Sequence, residues 1–304
     1  MKLFLPALAI LFAATLWGAI GIFVKGLAEA GFSSMEIVTV RVVASSAILL
    51  LIGMLKNRNL LKIKIKDIYL FVGTGILSIV FFNWCYFTSM NMLSISTAVI
   101  LLYTAPVFVM VLSVLFLHEK FTVRKIVLLF CTLAGCFLVT GALESGLKQG
   151  NPAGYLVGLG SGLGYALYSI FGKAALDKYQ TFTITAYTFF VASLFLLPIT
   201  KIWIKAPLFI DTGIILNVLG LSLLSTVLAY LLYTWGLQAM DSSRAAVLAT
   251  VEPLTAMIIG FAIFGEKLSP LQLTGAGFIL LAVALYNRRN RFTEEKGTES
   301  ILDG

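Results

Sequence analysis

Apolar positions in this chain neither alternate nor keep to one helical face. They run on for roughly 20 residues at a time, and short clusters of polar and charged residues separate the runs. An α-helix rises about 1.5 Å per residue, so a run of about 20 apolar residues matches a hydrocarbon layer about 30 Å thick. Ten runs qualify, near residues 4–24, 35–55, 68–90, 95–117, 124–142, 153–173, 181–200, 212–238, 243–264 and 270–286. The pattern predicts an all-α polytopic membrane protein of ten transmembrane helices, with neighbours joined as antiparallel hairpins because the connections are short. The first run follows Lys2 as a secretion signal would. It is too long for one, and no small-residue cleavage pattern follows, so it is read as the first span.

Composition agrees: 60% hydrophobic and only 12% charged residues, with a mean hydropathy of +0.99, cannot supply an aqueous surface. The lipid bilayer is therefore the expected partner. A net charge of +8 would suggest nucleic acid in a soluble protein, but here the basic residues lie between spans and report orientation. With both termini in the cytoplasm, 16 Lys and Arg fall inside and 5 outside, while Arg41 stays within a span. This predicts a multi-pass protein of the cell (inner) membrane, ending in a polar cytoplasmic tail over 287–304. Cys85, Cys131 and Cys136 all lie in apolar runs, with no spacing that suggests a disulfide or a metal site.

The chain repeats itself. Shifted by 147, Gly73–Lys120 aligns with Gly220–Lys267 at 12 identities in 48 positions, against about 4 expected by chance. The matches include Ser78 with Ser225, Tyr86 with Tyr233, Ser96 with Ser243, Pro106 with Pro253, and Glu119-Lys120 with Glu266-Lys267. A shift of 148 continues them upstream, where Ile22, Phe23 and Lys25 meet Ile170, Phe171 and Lys173. The predicted units are 5–142 and 153–286, each of five spans. An odd number of spans inverts the second copy, an arrangement suited to a central site opened to either face in turn. Pro106 and Pro253 fall at the middle of their spans and should interrupt helical hydrogen bonding there. Lipid tolerates such a break only beside protein or a polar cavity.

The run LSTVLAYLLYTWGLQAMDSSRAAVLATVEPLTAMIIGFAIFGEKLSPLQLTGAGFILLAVAL resembles the second EamA domain of the drug/metabolite transporter superfamily, with Glu252-Pro253, Gly265-Glu266-Lys267-Leu268 and Gly275 where that pattern has them. The first half matches in Trp17-Gly18, in Arg41 and in TAPVFVMVLSVLFLHEKFT. The likeness covers about residues 5 to 286. It implies a ten-helix exporter of amino acids, related metabolites or xenobiotics, with a cavity between the halves. The first half departs from it at Ala105, the counterpart of Glu252, and at His118, the counterpart of Gly265.

Two charges inside spans need an explanation, because ionisable groups in hydrocarbon face a partner or a wet cavity. Glu252 could exchange a proton, contact a substrate ammonium, or bond backbone groups freed at the proline break. Arg41 could meet a substrate carboxylate, tie helices together, pair with Glu252, or snorkel to the outer interface. Trp17, Tyr86, Tyr103, Tyr165, Tyr168, Tyr230 and Tyr233 are further cavity candidates, each offering an apolar face with one polar tip, as are the polar Asn83 and Ser96. The glycines at 154, 158, 160 and 164 predict close helix packing. His118 stands alone, and no metal cluster, nucleophile elbow or catalytic carboxylate pair is present, so neither an enzyme nor a cofactor is expected. The reading is a secondary transporter exporting a small-molecule substrate, with a proton as candidate coupling ion. The alternative is a non-transporting membrane scaffold or sensor of the same fold.

Overall fold

Small hydroxyl-bearing residues fill the interior, and large apolar ones cover the outside. Ser45, Thr74, Thr132, Thr185, Thr188 and Thr234 are fully buried, whereas Leu156, Leu115, Phe116 and Ile204 are 62–73% exposed. Only an apolar solvent makes such a distribution stable. The computed structural model describes residues 4–141, 143 and 151–287. The expected tail beyond Asn287, and with it Arg288, Arg289, Arg291 and Lys296, lies outside the described residues, as do Lys2 and Lys148.

Every described element is helical. The main helices are α1 (Phe4–Glu29), α2 (Ser34–Lys56), α3 (Ile65–Met92), α4 (Ile95–Leu117), α5 (Val123–Val139), α6 (Pro152–Leu176), α7 (Thr181–Thr200), α8 (Thr212–Gln238), α9 (Ser242–Phe264) and α10 (Pro270–Asn287). Among the described residues, seven of these, α1 to α4 and α7 to α9, have both the length and the hydropathy to cross a membrane. That is fewer than the ten the sequence pattern predicts. The reason differs by helix: α5 has 17 residues, the apolar part of α10 is Pro270–Tyr286, and the 25-residue α6 is diluted by glycine and tyrosine.

The two halves interleave. α1 packs against α8 and α9, and its counterpart α6 packs in the same way against α3 and α4; α2 meets α7, and α5 meets α10. Each half therefore lends its first helix to the other. Local structure repeats as well. Both α3 and α8 contain a widened π-helical stretch, Gly73–Val80 and Leu223–Leu228. Both α4 and α9 end in a left-handed residue, His118 (φ 55°) and Gly265 (φ 70°), after which the next N–H bonds back to Ser113 O or Gly260 O at 3.1 and 3.0 Å. These two positions are 147 apart, so His118 adopts a conformation its counterpart reaches with glycine.

The expected mid-helix breaks are present. α4 stops at Leu102 and restarts at Ala105, with Pro106 in the first turn; α9 stops at Ala249 and restarts at Val251, with Pro253 in the first turn. Threonine hydroxyls take up freed carbonyls, Thr104 donating to Leu101 O and Thr250 to Val247 O, both at 2.6 Å.

The glycine face of α6 makes the predicted close approach. A Cβ on Gly164 would stand 2.9 Å from Phe82 Cα, whereas Gly277 on α10 has no neighbour within 4 Å. Gly164→Val should therefore destabilise the protein by about 1–3 kcal/mol, while Gly277→Ala should stay within about 0.5 kcal/mol. Thermal unfolding of the detergent-solubilised variants measures both. His118→Gly should gain up to about 1 kcal/mol by relieving the left-handed backbone.

Candidate functional site

Between the halves lies a cavity of about 400 Å³. Its walls come from α1 (Trp17, Gly18, Gly21, Val24), α2 (Ser34, Val38, Arg41), α3 (Phe82, Asn83, Tyr86, Phe87), α4 (Val99, Leu102, Tyr103), Tyr165 of α6, Tyr230 of α8, and α9 (Glu252, Ala256, Gly260, Phe264), with Glu266 just beyond. Ser34, Phe264 and Glu266 are exposed at one end, while Trp17 and Tyr230 are buried at the other. The cavity is thus open at one end and floored at the other. The Trp17-Gly18 pair has a double use. Trp17 forms part of the floor, and a Cβ on Gly18 would fall 2.5 Å from Glu252 O, so only glycine lets α1 lie against the restart of α9.

The floor is a stack of aromatic rings. Trp17 meets Tyr230 and Tyr233 at centroid distances of 5.1 Å and Tyr165 at 6.2 Å; Tyr230 also meets Tyr168 at 4.9 Å and Phe189 at 5.1 Å. Beneath it, Tyr168 and Thr234 hydroxyls lie 2.7 Å apart, as do those of Ser169 and Tyr233. Pro106 borders a void of about 20 Å³ under the floor, beside Tyr103, Tyr165 and Glu252.

Below the aromatic layer a charged network closes the end formed by the C-termini of α6 and α8. Lys173 Nζ donates to Leu237 O (2.7 Å), Met240 O (2.8 Å) and Gln238 O (3.3 Å). The Glu119 carboxylate accepts from Ser242 N (2.5 Å), Ser243 N (3.4 Å) and Ser243 Oγ (2.6 Å), capping the N-terminus of α9, where anions are favoured. Lys125 bridges Glu119 (3.4 Å) and Asp241 (2.8 Å). The repeat counterparts of Glu119 and Lys173 stand at the open end and make none of these bonds. The Glu266 carboxylate has no hydrogen bond or ion pair among the described residues, and Lys25 lies 4.6 Å over the Phe264 ring.

Of the residues singled out from sequence, Trp17, Arg41, Asn83, Tyr86, Tyr103, Tyr165, Tyr230 and Glu252 share the cavity wall. Three do not. Tyr168 and Tyr233 are bonded under the floor, and Ser96 sits in the first turn of α4, away from the wall. The halves differ here: Tyr86 lines the open cavity, whereas its counterpart Tyr233 is buried and bonded to Ser169 beneath the floor. Glu252 does not bond the backbone at the proline break; its Oε2 accepts from the Tyr165 hydroxyl at 3.3 Å. Arg41 and Glu252 form no ion pair within 4.0 Å, and Arg41 is only 7% exposed and lines the cavity, so it does not snorkel to the surface. Asn83 Nδ2 donates to Ile79 O at 2.7 Å. Sequence reasoning met Glu119 and Glu266 as matches in the repeat and missed the network around Glu119. The signal was present in the repeat, which preserves Lys25 with Lys173 and Glu119 with Glu266.

Fold and cavity together define a multi-pass α-helical membrane protein of two interleaved repeats around a central cleft. The chain belongs to the EamA-like transporter family, whose domain it matches twice, over residues 4–141 and 152–288. An uncharacterized transporter of Archaeoglobus fulgidus is 32% identical over 200 residues, spanning 66% of this chain and 70% of that protein. A second from the same organism is 27% identical over 75% and 80%. A Streptantibioticus cattleyicolor protein named a probable terminal-alkyne amino-acid exporter is 24% identical over 64% of each. A solved crystal structure shares the fold, with a TM-score of 0.75 at 15% identity, covering 93% of this chain and 96% of that one.

The geometry separates the two repeat-related tyrosines. Tyr233→Phe should cost about 1 kcal/mol by orphaning the Ser169 hydroxyl. Tyr86→Phe, whose hydroxyl has no partner among the described residues, should stay within about 0.5 kcal/mol. Thermal unfolding of the two detergent-solubilised variants tests the contrast.

Proposed function

We propose that the protein is a secondary transporter that exports small metabolites, amino acids or their derivatives, across the cell membrane by alternating access. One observation carries the reading: the cavity is sealed at one end by the Glu119–Lys173 network, while the repeat counterparts of those two residues stand at the open end without forming such a network. Two copies of one unit in two different states are what alternating access requires. Exchange of states would let Glu266 and Lys25 close the open end as Glu119 and Lys173 release theirs. The amino-acid cargo draws support from the named exporter among the relatives and from a cavity whose inner part presents one cation, Arg41, and one carboxylate, Glu252.

In this reading all ten helices cross the bilayer as inverted units, 5–142 and 153–286, with both termini and the tail cytoplasmic. The shorter α5 and α10 pair with each other, which lets two brief helices share a locally thinned edge. The sealed end then faces the cytoplasm and the cavity faces outward. Glu252 is the candidate proton site.

Exchange of labelled amino acids by proteoliposomes, with and without an imposed pH gradient, tests these points. Glu119→Gln and Glu266→Gln should each slow exchange about tenfold or more, since each weakens charge-assisted bonds in one of the two closed states. Glu252→Gln should remove any acceleration by the gradient. Wild-type rates in both gate variants would exclude the two-gate mechanism, and failure of the wild-type protein to move amino acids, sugars, nucleotides or lipophilic cations would exclude transport.

A further inference from the structure

Arg41 lies ~10 Å along α2 from its first residue, and its side chain makes no hydrogen bond or ion pair among the described residues. Its Nε and Nη2 are both buried without a partner. Those two donors share one edge of the guanidinium, the edge whose parallel N–H bonds match the two oxygens of a carboxylate. An arginine cannot shed its charge to escape burial, so the arrangement is expensive as it stands. A third orphan, Trp17 Nε1, borders the same cavity. All three orphaned atoms are donors, so the group they lack is an acceptor, and an anionic one. The one carboxylate of the inner cavity is engaged elsewhere, Glu252 with Tyr165.

We propose that Arg41 is the residue by which the cavity recognises its substrate, gripping a carboxylate through Nε and Nη2 with Trp17 Nε1 alongside, while Glu252 receives the substrate's ammonium. The inference rests on the transport reading above and narrows it to a zwitterion, an α-amino acid. The same wall carries Phe82, Tyr86, Phe87 and Tyr103, so the side chain accepted is apolar or aromatic. A volume of about 400 Å³ lies within the ~300–1,000 Å³ of small-molecule sites. The two anchors also stand where the repeats differ. Positions 147 or 148 away hold Ala105 for Glu252 and Phe189 for Arg41, so the bound zwitterion has one orientation and not its symmetric alternative.

Exchange in proteoliposomes of phenylalanine, leucine and methionine, each beside its carboxamide, its decarboxylated amine and its deaminated acid, tests the assignment. Expected is faster movement of the amino acids than of amides and amines by at least about tenfold, because a site built to pair a charged group rejects analogues that lack it. Arg41→Gln should abolish that preference, and Arg41→Lys should keep part of it. Melting of the purified protein supplies a readout that separates recognition from scaffolding. Arg41→Gln should raise the ligand-free melting temperature by removing an unpaired charge, and phenylalanine should raise that of the wild type but not of the variant.

Equal movement of acid and amide by the wild type would overturn the carboxylate assignment and leave transport standing. A ligand-free Arg41→Gln protein that melts lower, with the acid preference intact, would reassign Arg41 to helix tying. Equal movement of amino acids and deaminated acids would retain Arg41 and remove Glu252 as the ammonium partner. If none of these compounds moves, both the proposal and the amino-acid cargo fall.

Discussion

Backbone in hydrocarbon must satisfy its own hydrogen bonds, and the structure depends on where that requirement is broken. It is broken at repeat-related places, before Pro106 in α4 and before Pro253 in α9, and both breaks face the space between the halves. Threonine hydroxyls repair part of the loss at each. The interleaving follows from the same constraint. The first helix of each half covers the broken helix of the other, and α1 comes close enough to do so only because Gly18 has no side chain to meet Glu252 O. The cavity therefore lies beside backbone that could not face lipid.

On this shared scaffold the two halves have different chemistry. Aromatic positions are kept but sorted by state: Trp17 and Tyr165 meet at the floor, Tyr86 lines the open wall, and Tyr233 is locked to Ser169 below. The charges follow another rule. Glu119 and Glu266, like Lys173 and Lys25, occur in both halves and stand at the ends, whereas Arg41 and Glu252 occur once each and stand in the cavity. Duplicated charges suit gates, which must exist on both faces. Single charges suit a site, which must read its ligand in one orientation.

Much of the scaffold was legible in the sequence because bilayer thickness and helix rise set a length for each span, and a shift of 147 exposed the repeat. The shortfall is at α5, α6 and α10, where packing partners replace hydropathy: α6 gives up apolar residues for glycines that approach α3 and α4 and for tyrosines that reach the floor. Eight site candidates reached the cavity because aromatic and charged residues in a span have few other uses. Tyr168, Tyr233 and Ser96 did not, since sequence carries the symmetry of the repeat but not the state that breaks it. The closing network was hidden for the same reason. A Glu-Lys pair at a helix end reads as ordinary capping until the α9 N-terminus from the other half is seen against it.

An unpaired Arg41 also bears on how the cavity changes state. A charged side chain near the bilayer centre costs about 3 kcal/mol on insertion scales, and an open, wet cavity softens that cost. Closing the open end over an empty cavity would expel the water and leave the guanidinium with no partner. Closing it over a carboxylate held by Arg41 would bury a matched pair instead, with the aromatic wall around it. Under the proposed mechanism the loaded protein would therefore cross between states more readily than the empty one, which is the condition for exchange rather than leak. The Glu119 network acts in the same direction from the other end. In the proposed exchange, its bonds to Ser242, Ser243 and Lys173's hold on the α8 terminus would be released as equivalent bonds formed around Glu266 and Lys25, which would keep the two end states close in energy. A ligand worth only a few kcal/mol can then shift the balance.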